Sequence, residues 1–351
     1  MAAKSIVSAF VLLLVLSPVL CLANSAPVVS GVTATQRADD SKLVDIYYNL
    51  MDADGDNCTV WITASDDNGN SWQVPILTTT GPIGQNIAPG NNKHIIWDAG
   101  RDMPGKVGNY KVRIIADDGK GPAPMVFVPA GNFLFQQYQY GSGWVYVNSF
   151  MIDKYEITNA FYCEFLNSTD PCGVYYPPHT VDISRAGSYG NYYYTVIPGK
   201  ENNPVRYVAD YHAEAFAQWR SSSYGGTYRL PTLQEWQKAA GWDPVLQKLW
   251  TYGFQSDSVD CNWCNYNSCY GDTLPVGSFN GTGGKNDAKS YYGCYDMSGN
   301  VFEWTATSSS YMLCGGGWAY NACNLYWGWY DPWSPWGFEA ERGFRLVLVA
   351  E

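Results

Sequence analysis

Glu303 stands between Phe302 and Trp304 in the run Gly299-Asn300-Val301-Phe302-Glu303-Trp304. A carboxylate flanked by two large aromatics must pair with a base such as Arg345, bind a cation, or turn to water. A glycine-rich turn follows at Cys314-Gly315-Gly316-Gly317-Trp318, where residues without side chains let the backbone approach a neighbour closely. Beyond it, Trp318, Tyr320, Tyr326, Trp327, Trp329, Tyr330, Trp333 and Trp336 place eight aromatics within nineteen residues. Exposed aromatic faces stack on sugar rings or peptide side chains and bind without a reactive group; core packing is the competing use. Trp329, Trp333 and Trp336, in the part containing Pro and Gly, are expected to be exposed.

Other chemistry-bearing residues are more scattered. Asp52, Asp54 and Asp56 are spaced as in calcium loops, but the closing Glu is replaced by Thr63, and the flanking runs alternate as strands do, so a solvated turn is expected. His94, His179 and His212 form no cluster in sequence, and no Ser sits in a nucleophile elbow. Cys261-Asn-Trp-Cys264, with Cys269 close by, has CxxC spacing without the second CxxC or His that zinc requires, so disulfide bonding is favoured.

Several elements must position these groups. Residues 1–25 read as a secretory signal peptide: Lys4, an apolar run from Ile6 to Leu20, then small residues at Ala23 and Ser25. That run is short for a transmembrane helix, and no other stretch approaches the length needed. Leu20 is too bulky before Cys21 for a lipoprotein signal. Export leaves nine cysteines, Cys58, Cys163, Cys172, Cys261, Cys264, Cys269, Cys294, Cys314 and Cys323, an odd count that leaves one free or bonded to another chain. A formal charge of −11 argues against nucleic acid or an anionic membrane as partner. The sequons at Asn57, Asn167 and Asn280 matter only in a host that glycosylates them.

The alternating runs LVDIYYNL (43–50), CTVWITAS (58–65), KHIIWDAG (93–100) and YKVRIIADD (110–118) predict an antiparallel β-sandwich of immunoglobulin or fibronectin-III type over 26–118. Ser65 to Trp72 resembles an Asp-box turn. Residues 119–124 form a Gly/Pro linker. The second domain, 125–351, opens with a strand at 125–135. Helices are expected from 157–167, capped by Thr158 or Asn159, over 211–219, and from 231, where Thr232 and Glu235 make a capping box. The Tyr- and Gly-rich segment 173–200 reads as a loop insertion.

Ordered blocks then carry a resemblance. MVFVPAG (125–131), IDKYEITNAFYCEFLN (152–167), NPVRYV (203–208), YRLPTLQEWQKAA (228–240), LPVGSFNG (274–281), DMSGNVFEWT (296–305), GGGW (315–318) and GFRLV (343–347) resemble the formylglycine-generating enzyme, or sulfatase-modifying factor, domain. The resemblance implies an α+β fold of low regularity, a variant of the C-type-lectin-like fold, beside the N-terminal all-β sandwich. Active members bind copper through two cysteines after the GGS turn; here those positions fall on Tyr320 and Leu325, which cannot ligate it. Cys314 and Cys323 lie nearby but out of register and are expected to pair as a structural disulfide, with a copper site as their fallback role. The family's second calcium loop falls on Asp296, Gly299, Val301 and Glu303, oxygen donors suited to a hard cation. Its first loop falls on Asn265, Tyr266 and Asp272.

The aromatic segment borders the family's substrate groove, which makes Trp318, Tyr320, Trp329, Trp333 and Trp336 the candidate ligand-binding residues. One functional reading is a secreted, catalytically inactive relative that binds an extracellular glycan, protein or peptide, with the sandwich as spacer and an unpaired cysteine available for oligomers. The alternative is a copper-dependent formylglycine-generating oxidase acting on a sulfatase cysteine.

Overall fold

The computed structural model describes residues 25–349, apart from 70, 71, 73, 107, 120–122, 138–140, 307–310 and 326–338. The candidate leader therefore lies outside the described residues, except Ser25. So do Trp329, Trp333 and Trp336.

Among the described residues seven strands build the first unit: β1 (Val28–Gln36), β2 (Leu43–Met51), β3 (Cys58–Ser65), β4 (Thr79–Thr80), β5 (Gly84–Ile87), β6 (Gly90–Asp98) and β7 (Lys111–Asp117). A short helical turn, α1 (Ala99–Asp102), follows β6. The strands form two antiparallel sheets, ordered β1-β2-β6-β4 and β5-β3-β7. Alternation sends Ile46, Tyr48 and Leu50 of β2 inward to meet Val60, Ile62 and Ile114 from the other sheet. Asp52 folds the acidic run into a turn, one carboxylate oxygen accepting the N–H groups of Asp54 and Asp56 at 3.0 Å each. In the Asp-box-like segment the Ser65 hydroxyl donates to Asp67 at 2.7 Å and accepts from the Gly69 N–H.

The second unit begins with β8 (Met125–Val128), β9 (Gly131–Gln137), β10 (Gly141–Val147) and β11 (Phe150–Asp153), so the single strand expected over 125–135 is broken in two at Pro129-Ala130. Next come α2 (Asn159–Thr169), β12 (Ile183–Ala186), β13 (Tyr193–Val196), α3 (Asp210–Tyr224), β14 (Thr227–Arg229) and α4 (Leu233–Gly241). Thr158 caps α2, its hydroxyl accepting the Phe161 N–H at 3.3 Å. α4 has the expected capping box, and Glu235 is also clamped by Arg229 through two 2.8 Å bonds. The segment 173–200 is not a plain loop. β12 and β13 pair from Ile183↔Val196 to Ala186↔Tyr193, burying Tyr194 and exposing Tyr193; four-residue strands are too short for their alternation to stand out.

The remaining strands are β15 (Trp242–Asp243), β16 (Lys248–Leu249), β17 (Phe302–Ala306), β18 (Tyr311–Cys314), β19 (Arg342–Gly343) and β20 (Val347–Val349). The main sheet runs β14-β20-β11-β8, with β17 at the centre of a second, β18-β17-β19. α2 and α3 enclose one core with Phe302, Trp304, Phe344 and Leu346. α4 encloses another with Cys294, Met297, Cys314 and Val347.

The two units meet across an apolar contact. Val60 and Ile62 face the first core, so the alternate residue Trp61 faces out, where with Ile115 it packs on Phe127, Met151 and Leu348 of the main sheet. The Trp61 and Phe127 ring centres are 6.1 Å apart. Nearby, Arg220 pairs with Asp153 at 2.8 Å in full burial and lies 4.1 Å over the Tyr228 ring. Burial, with Asp118 beside it, pushes Asp117 at this junction up to about 6.

Candidate functional site

β17 carries Glu303 into the core between the two helical layers, and its sheet register sets its surroundings. Glu303 lies opposite Cys314 on β18 and Gly343 on β19. Its carboxylate is fully buried and gripped by Arg345, whose Nε donates to Oε2 and Nη2 to Oε1, each at 2.6 Å. Trp236 of α4 donates its indole N–H to Oε2 at 2.7 Å. Arg345 spends its remaining N–H groups on the carbonyls of Asp153, Lys154 and Tyr295, so its planar fork is saturated. Of the outcomes open to Glu303, the structure selects the ion pair.

Two further carboxyls face the same guanidinium. Glu156 accepts the Val301 N–H at 3.0 Å and the Asn300 amide at 2.6 Å, and Asp296 accepts the Gly277 N–H at 2.6 Å. Burial pushes Glu156 well above the carboxylate range, helped by the charges of Asp296 and Glu303; burial also pushes Asp296 up to about 6. For Arg345, burial opposes the charge, yet the Glu303 carboxylate outweighs it and holds the guanidinium charged. Three buried acids thus surround one base, and the surplus needs a proton or a cation.

The candidate calcium residues divide on this evidence. Asp296 and Asn300 adopt left-handed backbone, φ +58° and +64°, around Gly299, where a Cβ would come within 2.4 Å of the Asn265 carbonyl oxygen. The side-chain oxygen of Asn265 is buried without a partner, as a cation ligand would be. Asp272 is committed elsewhere: its oxygens accept from Lys200 and Arg206 at 2.7 Å each. The Tyr266 carbonyl accepts the Cys269 N–H. Among the described residues no three His, Cys, Asp or Glu side chains converge to hold a metal. The chemistry of Asp296 and of the unpartnered Asn265 oxygen suits a hard cation, whereas Asp272 is already held by Lys200 and Arg206.

The glycine turn approaches the protein itself. At Gly316, φ +76°, a Cβ would meet Leu325 at 2.7 Å and the Asn324 carbonyl at 2.9 Å; at Gly317 it would meet Glu341 at 2.7 Å. Backbone bonds from Asn267 to Tyr320 at 2.7 Å and from Ser268 to Trp318 at 2.8 Å stitch the following segment to the 265–269 loop. Tyr320 packs edge-on against Phe302, 4.9 Å between ring centres, and Leu325 is fully buried beside Phe254 and Cys264. The Trp318 indole N–H is buried and has no partner among the described residues.

The expected Cys314–Cys323 disulfide is not formed. Cys314 points into the core with Trp236 and Met297, its thiol raised by burial, whereas Cys323 sits exposed on the 3₁₀ turn Ala322–Asn324. Cys261 bonds Cys269 instead, Cα atoms 6.0 Å apart, and leaves the buried Cys264 between them as a thiol. Glu156, Asn300 and Trp236 escaped the sequence reading. Glu156 lies in the matched IDKYEIT block, but nothing local tells that its carboxyl reaches the backbone of Val301.

The family described as the sulfatase-modifying factor enzyme 1-like domain matches residues 114–350, starting inside β7, ahead of the boundary at 125. Hercynine oxygenase of Mycolicibacterium smegmatis is 34% identical over 111 residues, 32% of this chain and 23% of its own length. Serine/threonine-protein kinase pkn1 of Chlamydia caviae is 28% identical over 191 residues, 51% of this chain and 27% of that protein. The chain thus spans about a quarter of the length of these curated relatives. The crystal structure of CarF aligns with a TM-score of 0.49 at 23% identity, covering 66% of this chain and 99% of that one. With a family match over most of its length, and a β17 site built from that family's ordered blocks, this chain belongs to the sulfatase-modifying factor enzyme 1-like domain family.

Proposed function

We propose that the chain is an exported binding module on the sulfatase-modifying factor scaffold, recognising an extracellular glycan or peptide without oxidase chemistry. The observation that carries this reading is the pair of side chains where the family's copper thiolates belong: Tyr320, a phenol packed on Phe302, and Leu325, a buried aliphatic. Neither offers the soft donor that Cu(I) selects. Export rests on the leader-like residues 1–25. A structural calcium at Asp296 and the neighbouring carbonyls would offset the surplus carboxylate charge.

One observation favours the alternative oxidase: Cys314 and Cys323 are both thiols. Cu(I) titration of the reduced chain, followed by mass analysis of a sulfatase-type cysteine peptide after incubation, separates the two. The binding reading expects no stoichiometric tight copper and no mass loss on the peptide. Tight copper with conversion of the cysteine to formylglycine overturns it.

A further inference from the structure

The first unit holds a cavity that the β17 site does not use, and we propose that it binds an anionic amphiphile, a molecule with an apolar body and a carboxylate head. β1 and β7 are edge strands of the two sheets; they run close together with no ladder between them among the described residues, so the sheets part along this side. The opening encloses about 470 Å³, within the range of small-molecule sites. Its apolar lining includes Val44, Trp97, Met103 and Val112. Trp97 is buried and its indole N–H is tied to Asp102 at 2.9 Å, so this part of the wall is fixed and presents only ring carbon to a ligand.

The charge of the lining selects the ligand. Lys42 and Lys106 line the cavity and no carboxylate does among the described lining residues, a local reversal in a chain of net charge −11. Lys42 is fixed at φ +61° beside α1, where a Cβ on Gly100 would fall 2.7 Å from the Lys42 Cβ. Its contact with Asp40, at 3.8 Å, joins two exposed side chains and is too weak to cancel it. An apolar wall under a cationic rim fits a fatty carboxylate better than a neutral lipid or a sugar.

Decanoate is the probe, with decanol as its uncharged counterpart, titrated calorimetrically into the full chain. The expected result is saturable one-to-one decanoate binding, with decanol about five- to tenfold weaker. A diazirine-bearing decanoate should crosslink to the 97–112 peptide. Lys42→Gln with Lys106→Gln should weaken decanoate about fivefold and leave decanol unchanged, and Ala34→Trp, a lining residue exposed on the edge strand β1, should abolish both with the melting curve intact. Absent saturation, crosslinks mapping elsewhere, or equal affinity for acid and alcohol overturns the proposal. Because the cavity lies in the first unit, none of these outcomes bears on the reading of the β17 site.

Discussion

Glu156, Asp296 and Glu303 gather around Arg345 in a region closed to solvent, and the protons of the first two set a stability slope. Both have folded-state pKa values above their unfolded ones. Their contribution is complete below the unfolded value, about 4, and is lost as pH rises through the folded value, about 6 for Asp296. The melting temperature of the chelated protein should therefore fall between about pH 4.5 and about pH 7, and Asp296→Asn should remove on the order of 2 kcal/mol of that loss. Asp117, also near 6, contributes equally to both proteins and cancels in the comparison. If calcium offsets the same charge, adding it at neutral pH should restore the wild-type melting temperature and leave Asp296→Asn unmoved. Wild-type melting indifferent to both calcium and chelator would sink the cation proposal and leave a proton on Glu156 as the compensation.

At the scale of elements, the glycine turn after β18 is shaped by what it must pass. Gly316 combines left-handed backbone with a path that leaves no room for a side chain between Leu325 and the Asn324 carbonyl. Gly316→Ala should cost about 2–3 kcal/mol in denaturant unfolding, strain and overpacking together. A cost below about 0.5 kcal/mol would mean that the 315–325 segment gives way easily and could remodel around a ligand. Local elements of this kind were legible in sequence where all the partners sit within a few residues, as with Thr158 and with the Thr232–Glu235 box. The β12–β13 hairpin was not, because Ile183 and Tyr194 are inward-facing only once α2 lies beneath them.

For the whole molecule, Trp61 decides whether the two units behave as one. It is 1% exposed, and part of what covers it belongs to the other unit, so the first unit is docked through a sheet face as well as joined by a linker. Trp61→Ala should cost about 3–5 kcal/mol and split the calorimetric unfolding of the full chain into two transitions. A single transition with an unchanged midpoint would show that the contact fills space without coupling the units.

The sequence alone determined the blocks and their order: the alternation of β2, β3, β6 and β7, the caps of α2 and α4, and the family. These depend on backbone periodicity and on hydrogen bonds that close within one turn, which adjacent residues specify. Tertiary structure decided the partners. Glu303 could await a cation or a base in sequence, and it takes Arg345, forty-two residues away, because β17 and the chain after β19 bring the two together inside the core. Cys314 could reach Cys323 by separation alone, yet β18 turns its thiol inward while the 3₁₀ turn carries Cys323 to the surface. Separation along a chain limits which groups can meet, but the direction of each side chain is set by the sheet or turn that holds it, and that exists only once the chain is folded.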